Sequence, residues 1–392
     1  MSAARVSFLS LLVGFLAVPP LMAAPTPKGY PVYWVDVTTS SQSVPGMEGG
    51  GIIAGLFGKG LTGPRKELLL RLASPLTADA PTGEHLVPEG FKPGPSLPLT
   101  PPRQDVGEPV KGEDAPQPFE KPKGRLLIYW GCGETVRPGQ PKVLDTAKMS
   151  PGAFAKAFAG RTPSRQSPPS ARKGWTFARW PDRDGGEEIS PDASLVGEHR
   201  VEGNFLPKPI RFSLTSSQDF MPPVEFSPLA KGKNGSISVS WKPIPAAVAY
   251  YAVAMGHDEA KGDTILWSSS EVMESGFGLL DYLPPSDITR FLKEKVLLPP
   301  GKAGCTIPPV FPAEGGGVLT FIAYGTEQNI SHPPRPTSAP KSWSPDWAVK
   351  VRYKSTAILP LLASDDQSPK GETKGDSPAR GVGEAIKGLF GW

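Results

Sequence analysis

Residues 236–256 read SISVSWKPIPAAVAYYAVAMG. From Ser236 to Trp241 the apolar Ile237, Val239 and Trp241 alternate with polar residues, so every second side chain falls on one face. That is the period of a half-buried β-strand. Pro243 and Pro245 interrupt the pattern, and Ala249 to Met255 resumes as an almost continuous apolar run with two tyrosines. Two strands joined by a proline-bearing turn follow. A helix does not, because proline removes a backbone donor and clashes with the preceding turn.

The same reading extends outward. Pro31 to Ser40 (PVYWVDVTTS), Arg125 to Trp130 (RLLIYW), Arg211 to Thr215 (RFSLT), Thr264 to Ser268 (TILWS), Val318 to Tyr324 (VLTFIAY) and Trp347 to Tyr353 (WAVKVRY) are all rich in β-branched, aromatic or alternating residues. One helix is expected from Ser286 to Val296, capped by Ser286 or Asp287, with Ile288, Phe291 and Leu292 as its apolar stripe and Pro299 and Pro300 beyond its end. A shorter one is possible over 152–159. Composition agrees, since 49 prolines and 44 glycines in 392 residues exclude a helical bundle and favour short strands with Pro/Gly turns.

The expected fold is therefore all-β, with two sandwich-like domains. Residues 1–23 read as a signal peptide and 24–123 as a Pro/Gly-rich tether with one strand near 31–40. Residues 124–228 form a first β-rich domain, and 232–356 a second that holds the short helix. Residues 357–392 are expected to be a flexible tail, with a short amphipathic pattern over 381–392 that is expected to fray.

The stretch 236–256 resembles the B and C strands of a fibronectin type III or immunoglobulin-like sandwich. In that family a strand ends in a core Trp, a proline-containing turn follows, and the next strand presents a core Tyr. Trp241 and Tyr250 or Tyr251 match this pattern. The helix at 286–296 departs from it. The whole chain also resembles a family of secreted proteins of Gram-negative bacteria, which implies no activity.

Export is also legible in the residues. Arg5 precedes the apolar run Val6 to Val18, and Pro19 and Pro20 lead to a small-residue site with cleavage expected after Ala23. The run is shorter than the roughly 20 residues a membrane-spanning helix needs, and no later run is long enough, so no transmembrane span is expected. In an oxidising compartment the two cysteines, Cys132 and Cys305, have the option of pairing. Each sits in its own glycine-bearing loop with nothing local to join them, so separate thiols are expected.

Charge and motifs exclude several chemistries. The 42 basic and 38 acidic residues are interspersed, giving a net charge of +4 without a basic run. A nucleic-acid partner is therefore not expected. The four histidines, His85, His199, His257 and His332, form no H-E-x-x-H pattern, and no G-x-S-x-G elbow occurs. Gly49 to Ala54 formally satisfies G-x-G-x-x-A but lacks the strand directly before it.

The candidate sites are sparse. Asp182, Asp184, Glu187 and His199 are the first candidates for acid–base work on a glycan. Asp182, Asp184 and Glu188, on a glycine-bearing turn, are weak calcium candidates. Trp175, Trp180, Trp267, Trp343 and Trp347 lie in or beside loops, where exposed aromatics stack on sugar rings and buried ones plug sandwich edges. The functional expectation is a non-catalytic exported protein, with no cofactor, serving envelope association or binding to an envelope protein or polysaccharide. The alternatives are a periplasmic or secreted hydrolase acting on a glycan, or a carbohydrate-binding module.

Overall fold

The computed structural model describes residues 29–42, 63–92, 94–102, 124–145, 148–150, 153, 161–183, 185–312, 316–340 and 342–361. The expected signal peptide, the glycine-rich stretch 46–60, all but residue 153 of the possible helix at 152–159, Asp184 and most of the tail lie outside these residues.

The chain is predominantly β, in agreement with the expected fold class. Its strands are β1 (Val32–Gln42), β2 (Arg65–Ser74), β3 (Gly83–Leu86), β4 (Ser96–Leu99), β5 (Arg125–Trp130), β6 (Lys142–Asp145), β7 (Thr176–Trp180), β8 (Glu187–Ile189) and β9 (Gly197–Gly203). They continue with β10 (Ile210–Leu214), β11 (Ala230–Lys231), β12 (Ile237–Ser240), β13 (Ala249–Asp258), β14 (Asp263–Ser268), β15 (Gly304–Ile307), β16 (Val318–His332) and β17 (Trp347–Pro360). Helix α1 spans Pro285–Lys293 between β14 and β15.

A ten-stranded sheet runs β6-β5-β14-β13-β16-β17-β1-β2-β7, with β8 also paired to β2. Its neighbours are antiparallel except β1 on β17 and β14 on β5. Two smaller sheets, β10-β9-β3-β4 and β11-β12-β15, pack on one of its faces. One continuous core joins all three. It includes Tyr33, Val35, Val37, Leu68, Leu70 and Leu72 above the four-stranded sheet, and Tyr250 and Phe321 above the three-stranded one. Trp241 belongs to this core. It is 3% exposed and lies 4.7 Å from the Phe321 ring centre and 5.6 Å from that of Tyr250.

This topology corrects the expected domain division. The ten-stranded sheet takes β1 and β2 from 24–123, β5 to β8 from 124–228, and β13, β14, β16 and β17 from 232–356. A boundary at 228–232 would cut through it. The expected tether also contributes β3 and β4 to the four-stranded sheet. Pro98 fits there because β4 is an edge strand, where a missing backbone donor costs little. The tail is corrected as well, since β17 runs to Pro360. Local alternation identifies strands, whereas partner choice depends on contacts far apart in sequence.

The cysteine expectation is overturned. Cys132 and Cys305 form a disulfide, with Cα atoms 5.2 Å apart. Pairing of β15 with β12 places Cys305 at the small-sheet face, and the amide of Gly133 bonds the carbonyl of Thr306 at 2.8 Å. The GCG loop that leaves β5 is thus laid across β15. The bridge ties the large sheet to the three-stranded one.

Helix α1 starts earlier than expected and ends at Lys293. Pro284 is the N-cap and Pro285 the first helical residue, where a missing N–H is harmless. Ser286 and Asp287 fall inside the first turn, and Asp287 is buried for another use described below. Ile288 and Phe291 pack with Tyr251, Val253, Leu266 and Ile322 on the second face of the large sheet.

Candidate functional site

The second face of the large sheet changes character beyond β16. In β1, β2 and β17 the residues facing the core are apolar, and the alternate positions are largely charged or polar. Register then decides which of them meet. β1 pairs with β17 so that Asp36 lies opposite Arg352, and Thr38 opposite Lys354. β1 pairs with β2 so that Trp34 lies opposite Arg71, and Thr38 opposite Glu67. All of these side chains but Trp34 floor a cleft of about 530 Å³. Its walls are the 163–168 segment, Gly186 and the stretch Gly278 to Tyr282.

Asp36 is the centre of the floor and is 4% exposed. Arg352 donates to both its carboxylate oxygens, Nε to Oδ1 and Nη2 to Oδ2, each at 2.7 Å. Arg71 donates a third bond to Oδ2. A buried carboxylate needs such partners, because burial of an unpaired charge is strongly unfavourable. The Arg352 guanidinium is also held between two rings, with centres 4.7 Å away in Trp34 and 4.2 Å away in Tyr282. Its Nη1 donates to Gln166 Oε1 at 2.5 Å, and Gln166 Nε2 donates to Glu327 Oε2 at 2.8 Å. Glu327 also pairs with Lys350. Burial pushes its carboxyl up, but the bonds from Lys350, Asn329 and Gln166 outweigh that and hold it below its ordinary value.

A one-residue irregularity between Tyr324 and Glu327 brings Glu327 onto this face. Gly325 makes it possible. A Cβ there would lie 2.7 Å from both Tyr353 Cβ and Met221 Sδ, closer than packed atoms allow. Odd-numbered Glu327 thereby joins the face that carries even-numbered Tyr324 and Ile322.

The walls are anchored from the helical side. Ser164 donates its amide and its hydroxyl to the Asp287 carboxylate, the hydroxyl at 3.0 Å. Burial raises the affinity of Asp287 for a proton, but its bonds from Ser164 and Arg290 lower it further, so the group stays below its usual range. Arg161 donates to buried Glu274 at 3.1 Å and to Glu294 at 3.0 Å. At the other wall the Tyr282 hydroxyl and Thr38 Oγ1 are 2.8 Å apart, and Lys354 Nζ donates to Asp281 at 2.7 Å. Glu67 differs from the other acids. Burial raises its pKa, and the weak bond from Ser40 at 3.4 Å offsets this only in part.

The sequence-derived candidates lie elsewhere. His199 on β9 is 2% exposed and sits in a buried chain. Its Nε2 bonds the Leu195 carbonyl at 2.7 Å, its Nδ1 is 2.9 Å from His85 Nε2, and His85 Nδ1 is 2.8 Å from the Tyr33 hydroxyl. It stacks on Phe212 with ring centres 4.8 Å apart. It therefore does not meet Asp182, Glu187 or Glu188 in a cleft. Glu187 pairs with Arg183 at 2.5 Å and Glu188 with Arg65 at 3.2 Å. They are successive residues of β8, whose side chains point to opposite sides. Asp182 sits in the turn after β7, where Arg179 bonds its carbonyl at 3.0 Å. Among the described residues no group of three or more His, Cys, Asp or Glu is placed to hold a metal ion.

Two of the tryptophans are core residues and not surface platforms. Trp267 is 1% exposed, with its indole N–H on the Gly131 carbonyl at 3.1 Å, and Trp347 is 6% exposed. Trp175, Trp180 and Trp343 are half-buried and separate from the cleft. The Arg172 guanidinium covers the Trp175 ring at 3.2 Å, and Arg335 lies 5.6 Å from that of Trp343.

Sequence reasoning missed Asp36, Glu67, Arg71, Tyr282, Arg352 and Lys354. One signal was present: Asp36 stands inside an apolar strand pattern, and Lys350, Arg352 and Lys354 alternate with core residues in WAVKVRYK. Comparison with protein-family models, curated proteins and solved structures gives no match.

Proposed function

We propose that this is an exported, non-catalytic binding protein of the cell envelope that takes a saccharide segment in the cleft on β2, β1 and β17. The observation that carries this reading is the pre-paired floor of the cleft. Asp36 already accepts three bonds from Arg352 and Arg71, and Arg352 is fixed between two rings. Fixed donors and acceptors bind hydroxyl-rich ligands without the cost of ordering side chains first. A carboxylate so fully engaged is poorly suited to attack or to proton transfer.

A second reading rests on Glu67. A half-buried carboxyl with raised pKa, Glu67, lies one strand from a carboxylate that accepts bonds from two guanidinium groups. Two acids in contrasting environments are what glycoside hydrolysis uses.

A glycan array on the mature chain tests the proposal. Retention of oligosaccharides is expected, with affinity falling about ten-fold in Tyr282→Ala. An array without retained glycan contradicts it. Incubation of retained glycans then separates the readings. New reducing ends, lost in Glu67→Gln, would favour hydrolysis, and their absence favours binding.

A further inference from the structure

We infer that the saccharide carries an oxyanion, a carboxylate in the first instance, received at the rim of the cleft by Arg165, Arg71 and Lys354. This rests on the binding reading above and specifies its ligand.

The inference follows from the hydrogen-bonding capacity left over in the cleft. Arginine has five N–H donors and lysine three, while an ionised carboxylate only accepts. The cleft is lined by four cationic side chains, Arg71, Arg165, Arg352 and Lys354, against three carboxylates, Asp36, Glu67 and Asp281. Asp36 already accepts three bonds of the roughly four a carboxylate can take, and Asp281 is engaged by Lys354. The neighbouring Glu327 is matched by Lys350. Glu67 and Asp281 keep acceptor sites of their own, but the four cations hold more unspent donors than those sites can take, so the surplus is donor capacity. Arg71 commits only Nη2, Lys354 commits one of its donors, and Arg165 is exposed at the rim. A purely hydroxylated ligand would meet this surplus with groups that are equally donors. A carboxylate would meet it with acceptors alone and would also cancel the excess positive charge, and planar guanidinium groups match it bidentately.

Glu67 adds a directional consequence. Lys354 of β17 and Arg65 favour its ionised form, and Glu188 of β8, paired opposite it, disfavours that form. Burial outweighs the two cations, and an anion placed in the same cleft disfavours the ionised form further. Binding then takes up a proton there, and affinity rises as pH falls from 7 until the ligand's own carboxylate titrates.

Isothermal titration of the full chain with a panel of uronate oligomers and their methyl esters tests this, because esterification removes the charge and keeps the sugar and its length. An acidic oligomer is expected to bind at least ten-fold tighter than its ester, and the preference is expected to shrink as salt is added. Arg165→Glu, an exposed position where folding is not at stake, is expected to bring the two affinities within about two-fold of each other. Phosphorylated oligomers in a parallel arm identify which oxyanion is preferred, and tighter binding of those than of the uronates would overturn the choice of carboxylate. Esters that bind as well as the acids overturn the inference and leave the saccharide reading intact. If neither class binds, both fall together.

Discussion

One face of the ten-stranded sheet carries two unlike surfaces. On β5, β14, β13 and β16 it presents Leu126, Ile128, Leu266, Tyr251, Val253 and Ile322, and α1 covers them with Ile288 and Phe291. On β17, β1 and β2 it presents Lys354, Arg352, Asp36, Thr38, Glu67 and Arg71, and a cleft stands over them. The backbone is the same pleated sheet throughout, and strand pairing passes from β16 to β17 to β1 with one irregularity, between Tyr324 and Glu327. The alternate side chains alone decide whether a stretch of sheet is sealed or left open. Polar groups on this face cannot be sealed under an apolar helix without partners, so they pair with each other and keep their remaining capacity for a ligand.

The comparison can be broken most severely at Asp36. Asp36→Ala leaves Arg352, itself 7% exposed, without its bidentate partner. Removing one member of a buried ion pair costs about 3–5 kcal/mol. Phe291→Ala in the sealed half should cost a similar ~3–5 kcal/mol by leaving a cavity. The two halves then separate in their rescue. Asp36→Leu combined with Arg352→Met should recover part of the loss, since apolar pairs often replace buried ion pairs without penalty, while Arg71 is left without its carboxylate. Denaturant unfolding reads all of these. A double variant no more stable than Asp36→Ala would show that the polar floor is irreplaceable by packing.

The next effect belongs to the disulfide. It closes a loop of 173 residues, and reduction should cost about 2–4 kcal/mol by releasing the unfolded chain. The bond joins the loop after β5 to β15, so it anchors the end of the sheet remote from the cleft. Hydrogen exchange in the doubly substituted Cys132→Ser/Cys305→Ser chain should rise first in β12 and β15 while β1 and β17 stay protected. Equal loss across both halves would contradict this placement.

Much of the architecture was legible and its assembly was not. β5 runs from Arg125 to Trp130 as its apolar pattern predicts, and β13, β14, β16 and β17 all begin within a residue of their expected starts. These are local properties. The site depends on Asp36 and Arg352, which stand 316 positions apart and meet only because β1 inserts beside β17. Likewise, Cys132 and Cys305 carry no mark of proximity until β12 and β15 pair. The four histidines show the same limit, since His85 and His199 are 114 positions apart and share one buried hydrogen-bonded chain.

That chain supplies the smallest effect, and it lies under the open half of the sheet. A single directional pattern satisfies its neutral form. His199 Nε2–H donates to the Leu195 carbonyl, His85 Nε2–H donates to His199 Nδ1, and the Tyr33 hydroxyl donates to His85 Nδ1. An added proton on either ring is accommodated only if the Tyr33 hydroxyl turns from donor to acceptor, which takes its hydrogen away from His85 Nδ1. Burial lowers the pKa of His85 far below its ordinary value, with the neighbouring His199 adding to the effect. Burial also lowers that of His199, against the smaller opposing pull of the Leu195 carbonyl and Asp219. The unfolded chain therefore binds protons below about pH 6.5 that the folded chain refuses, and stability falls as pH drops from there toward the depressed folded values. Over the first pH unit each histidine withdraws at most about 1.4 kcal/mol. His85→Gln and His199→Gln should flatten this slope even where they lower stability at pH 8. Because Tyr33 is on β1 and the histidines are on β3 and β9, the loosening should appear in hydrogen exchange of the four-stranded sheet before the three-stranded one. A slope that survives both substitutions would move the acid sensitivity elsewhere and remove this distinction between the two halves.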